Sequence, residues 1–155
     1  MKPYSEQDLL AANVNPKTGL ATDYLNLFNE AIMLFELALD MPDMAEELVD
    51  WKPHGYVEHF EHSGFELKDV VIAAYGQAPQ AARADFDAAV GHTLAAFDSS
   101  IEILLSSNLS SREARADLGV RLKAMKALVT ELDAHIHGGV EALSVDHQGE
   151  VDALF

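Results

Sequence analysis

The sequence predicts an all-α fold: a mainly antiparallel four- to five-helix bundle with a long C-terminal helical hairpin. Three observations lead there. In one long segment Phe86, Val90, Thr93, Phe97, Ile101 and Leu104 recur every three or four residues, and in the next Leu118, Leu122, Met125, Val129, Leu132 and Ile136 do the same. Residues that start and stop helices punctuate the chain between such runs. No window sustains the strict alternation of a half-buried strand. A chain of 155 residues predicts one domain, able to bury about 68–70% of the surface its unfolded form exposes.

Taken in order, residues 1–20 hold Pro3, Asn13, Asn15, Pro16 and Gly19 and read as an N-terminal arm with one short helix after Ser5. A bundle domain then covers residues 21–139, and residues 140–155 form a C-terminal tail. The first long helix, about Ala21–Met41, carries a wide apolar arc of Tyr24, Leu27, Phe28, Ala31, Ile32, Leu34, Phe35 and Ala38. Met33 and Leu37 fall opposite, among Asn26, Asn29, Glu36 and Asp40, so a neighbouring helix or a second subunit should cover them. A homodimer is the expectation. Asp43–Glu46, Ser63–Glu66 and Ser110–Glu113 have capping-box spacing, in which a short polar side chain and an acid three residues on satisfy each other's backbone N–H. Pro53 and Pro79 suit first helical positions, where a missing N–H costs nothing. Gly76 and Gly138-Gly139 suit left-handed helix stops. The last two helices should each run about 26 residues, on the order of 40 Å. The short link Ser106–Ser110 makes them an antiparallel hairpin.

Composition excludes several functions. There are 26 acidic and 10 basic residues, a formal net charge of −16 and no cysteine. Disulfides, thiolate metal sites and thiol nucleophiles are ruled out. Nucleic acid and anionic membrane surfaces need clustered Lys and Arg, so neither is an expected partner. The apolar runs Val70–Tyr75 and Ala31–Phe35 are too short to span a bilayer. Met1–Leu10 lacks the apolar core of a secretory signal, and the expected compartment is the cytoplasm. Five basic residues, Arg112, Arg115, Arg121, Lys123 and Lys126, crowd the first half of the last helix, the positive end of its dipole. They should face the acidic first helix across the bundle, or else dock an acidic partner.

Two histidine-bearing segments could carry chemistry. On a continuous helix His54, Glu58, Glu61 and His62 share one face, and imidazole with carboxylate suits zinc, iron or manganese. Tyr56, Val57 and Phe60 lie opposite and should point into the core, leaving the His/Glu face wet. No cofactor is therefore expected. His135 and His137 sit near a helix C-terminus, where the dipole favours them whatever their function. His92 lies in a clearing of small residues, Ala88, Ala89, Ala95 and Ala96. Its string resembles the phosphorylatable-histidine helix of histidine phosphotransfer domains, except that Ala95 and Ala96 stand where that family has Lys and Gly.

The tail carries the most specific string. Gln148-Gly149-Glu150-Val151-Asp152-Ala153-Leu154-Phe155 resembles the short acidic helix by which flagellar switch proteins bind the chemotaxis response regulator, and which also ends CheZ-type phosphatases. Phe155 replaces an aliphatic residue of that pattern. The resemblance implies a response-regulator receiver domain as protein partner, with Val151, Asp152, Leu154 and Phe155 in the contact. The alternative is a tail folded onto its own bundle. CheZ-type catalysis also needs an amide one turn from an acid, and Asn26 with Glu30 on the first helix is the available pair. The expected function is a non-enzymatic interaction or regulatory protein of bacterial signalling. A CheZ-like phosphatase, a histidine phosphotransfer protein and a metal-binding bundle are the alternatives.

Overall fold

In the computed structural model, residues 4–138 are described. They form α1 (Glu6–Ala11), a 3-10 turn (Thr22–Tyr24), α2 (Leu25–Asp40), a 3-10 segment (Pro42–Asp50), α3 (Tyr56–Glu61), α4 (Lys68–Gly76), α5 (Gln80–Ser106) and α6 (Arg112–His137). The described residues contain no strand, and one isolated antiparallel bridge joins Val14 to Ala21. The molecule is an all-α, bundle-like assembly, as the periodicity predicts.

The α5–α6 hairpin is its frame. All six expected seam residues of α5 are buried. In α6 Leu118, Met125, Leu132 and Ile136 are buried, while Leu122 and Val129 are half-buried at the edge of the stripe. The helices run antiparallel: Ser100 meets Arg121 at 3.4 Å, and Asp85 lines the same cleft as His135. α2 packs against α6 and against the Pro42–Asp50 segment, which also touches α5. Phe28, Phe35, Phe86 and Phe97 have no exposed surface and fill the space between them. Among the described residues α5 alone has the length and mean hydropathy (1.2) of a membrane span, and its apolar stripe is core in this bundle.

Several local expectations are corrected. The first long helix starts at Leu25, behind the 3-10 turn. Asp43 caps nothing, because Met41 leads directly into the 3-10 segment with Pro42 at its first position. Ser63 bonds back to the Phe60 carbonyl (2.9 Å) and makes only a local turn with Phe65 N–H (3.4 Å), so α4 begins later, at Lys68. Pro53 precedes a loop rather than a helix. The α6 cap is Ser111, one residue on from the expected Ser110, and accepts from Ala114 N–H. The complete capping box is elsewhere, between Ser5 and Asp8 at the start of α1.

The segment before residue 21 is part of the core. Ala12, Val14 and Leu20 are buried, and Thr18 Oγ1 donates to the Ile136 carbonyl at 2.6 Å. Gly19 is required there. Its φ is +75°, and an added Cβ would lie 3.0 Å from both the Ala74 carbonyl oxygen and the Ala78 Cβ. Gly138 stops α6 at φ +78°, as its position predicts. Met33 is 54% exposed and Leu37 half-buried, so the chain's own helices leave part of that face open. Of the basic residues on α6, Lys126 does reach across to Glu36 of α2.

Candidate functional site

An aromatic hub sets the geometry of the histidines. Tyr24 is fully buried and packs edge-on against Phe28 (5.2 Å between ring centroids), Tyr56 (5.3 Å) and Phe86 (6.3 Å). Each hub tyrosine also ties distant backbone: Tyr56 Oη accepts from Ala21 N–H at 2.8 Å, and Tyr24 Oη donates to the His54 carbonyl at 2.8 Å. Burial pushes both phenols well above their ordinary range, so both stay protonated. Tyr24 also presents its ring to His59, 5.5 Å away.

His54 consequently belongs to the loop and not to α3, which begins at Tyr56. Its imidazole lies over His59, with Nε2 of one 3.3 Å from Nδ1 of the other and the rings stacked at 27°. The expected set His54, Glu58, Glu61 and His62 is not brought together: Glu58 and Glu61 are exposed on α3, and His62 is exposed just past its end. Among the described residues no three His, Asp or Glu side chains are arranged to hold a metal ion. The core-facing half of that reading holds, with Tyr56 and Phe60 buried and Val57 half-buried. Burial lowers the basicity of His59, the adjacent His54 lowers it further, and Asp23 opposes both. Sequence spacing pointed away from this pair, because residues five apart do not share a helix face. The signal that finds it is Pro53 and Gly55 around His54, which free that residue from the helix.

A second cluster lies between α5 and α6. Asp85, Ala88, Ala89 and His92 of one helix and Glu131 and His135 of the other line a cleft of about 310 Å³. Burial lowers the basicity of His135, while Glu131 and Asp85 raise it. The small residues around His92 do make a clearing, but His92 Nε2 is buried and has no hydrogen-bond partner within the described structure. A phosphoryl donor would have to reach a covered nitrogen past Asp85 and Glu131, whose charge repels it. Glu131 stands one turn before His135 in the sequence, whereas Asp85 joins the cleft only through the partner helix.

A third feature is an apolar groove of about 500 Å³ between the Pro42–Asp50 segment and the end of α5, lined by Leu48, Val49, Trp51, Ile101 and Leu105 among others. Asn26 and Glu30 are both exposed, one turn apart on α2. Val151, Asp152, Leu154 and Phe155 lie outside the described residues. With these sites in view, the chain was compared with known proteins. No family model, curated protein or solved structure matches it.

Proposed function

We propose that the chain is a non-enzymatic interaction module of bacterial signalling that engages a response-regulator receiver domain through Gln148–Phe155. The observation that carries this reading is the string itself, set ten residues beyond the left-handed stop of α6 at Gly138. Among the described residues the large core side chains Tyr24, Phe28, Phe35, Phe86 and Phe97 are fully buried. Val151, Leu154 and Phe155 would enter an apolar groove of the partner while Glu150 and Asp152 meet its polar rim. A contact confined to so short a segment buries little surface, so affinity should be about micromolar. The net charge of −16 favours a protein partner over nucleic acid or anionic lipid, and a cytoplasmic setting suits a receiver domain. Partial exposure of Met33 and Leu37 on α2 supports homodimerisation, which light scattering tests.

Titration calorimetry against an activated chemotaxis receiver domain tests the reading. The full chain should bind, truncation after Gln148 should abolish the heat, and Asp152→Lys should weaken it. A full chain that gives no heat sinks the proposal. The exposed Asn26–Glu30 pair favours CheZ-like phosphatase activity as a second reading. In that case the protein should speed receiver dephosphorylation, and Asn26→Ala should stop it.

A further inference from the structure

We propose that His54 and His59 chelate a divalent transition-metal ion of the zinc class. A tetrahedral zinc ion with imidazole nitrogens about 2.0–2.1 Å away holds any two of them about 3.3–3.4 Å apart. His54 Nε2 and His59 Nδ1 stand 3.3 Å apart. Such a spacing also suits an N–H···N hydrogen bond between neutral rings, so the distance needs a second argument.

The core holds the pair in place. Both histidines lean on one fully buried tyrosine: Tyr24 fixes the His54 backbone through its carbonyl (2.8 Å) and packs against the His59 ring (5.5 Å). Phe60 closes on His59 from a second side, with centroids 5.0 Å apart. The separation of the two nitrogens is thus tied to core packing, the condition under which a ligand pair is preorganised. Both imidazoles are half-buried, which keeps a path to solvent. Burial and the adjacent His54 keep His59 neutral, the form that ligates a metal, while Asp23, whose carboxylate Asn13 holds at 3.3–3.4 Å, opposes them and would attract a bound cation. Since among the described residues no third His, Asp or Glu side chain stands ready, the remaining coordination positions would be filled by water or an exogenous ligand. Such an ion would clip the His54 loop to α3.

Titration of untagged full-length protein with Zn²⁺, followed by calorimetry and by the His Cε1–H resonances in NMR, tests this. We expect one ion per chain, with the His54 and His59 resonances moving together. His54→Asn and His59→Asn should each lower affinity about tenfold or more, no less than the loss of an outer-shell partner. His62→Ala should leave affinity unchanged, and Mg²⁺, which prefers oxygen ligands, should give no response. If the asparagine variants bind Zn²⁺ like wild type, the site is wrong. If an asparagine variant loses its fold by circular dichroism, the wild-type spectrum decides: shifts at His62, His92, His135 or His137 without His54 and His59 overturn the proposal.

Discussion

The α5–α6 hairpin and the stretch from Pro42 to Leu67 join the same core by different means. The hairpin is held along its whole length by a stripe of side chains, so no one residue defines its course. The stretch is a 3-10 segment, a loop and the short helix α3. It is pinned by a few directed bonds: Trp51 Nε1–H to the Leu27 carbonyl at 2.9 Å, Tyr56 Oη from Ala21 N–H, and Tyr24 Oη to the His54 carbonyl. Distributed burial makes a frame, whereas point attachments set loop atoms, and with them the His54–His59 pair, at fixed positions.

Substitutions can break that contrast at either end. Phe97→Ala should have the largest effect. Phe97 is fully buried and packs on Phe28 (5.1 Å) and Trp51 (6.1 Å), so its removal should cost about 3–5 kcal/mol in urea unfolding. Tyr56→Phe removes only an oxygen but strands the buried Ala21 N–H, and should cost about 1–3 kcal/mol. If it proves silent, the stretch is held by burial alone and the contrast fails. Ser111→Ala removes the α6 cap and should cost about 1 kcal/mol, measurable as a lower urea midpoint.

Acid should act selectively on the pinned region. Burial holds His59 below its ordinary value of 6.5, so the unfolded chain takes up that proton first. Its contribution to stability is full above that value and is lost as pH falls from there through the folded-state pKa. His135 has the same sign. His59→Asn should flatten the fall of the urea midpoint as pH drops below the ordinary histidine value of 6.5. The smallest effect belongs to Lys126→Ala. Its ion pair with Glu36 is half exposed, and losing it should cost less than about 0.5 kcal/mol.

The same contrast decides what was legible in the sequence. Phe86 to Leu104 could be assigned to the core one by one, because a long helix repeats its environment every turn. The caps at Asp43 and Ser63 failed since a capping box describes only local satisfaction, and Pro42 and the Phe60 carbonyl offered competing local arrangements. Val14, Thr18 and Leu20 looked like an arm among Asn, Pro and Gly, yet Gly19 lets the chain fold tightly against α4. The His54–His59 pair depends on Tyr24, thirty residues upstream of His54, and no spacing rule carries that information.

The central claim is that a closed bundle precedes a separable recognition string, and equilibrium unfolding of the chain truncated after Gln148 tests it most directly. The account predicts a urea midpoint and slope equal to those of the full chain, within about 0.5 kcal/mol, the range of surface changes. A loss of several kcal/mol would contradict it. Residues 149–155 would then be core residues, and their likeness to the chemotaxis peptide accidental.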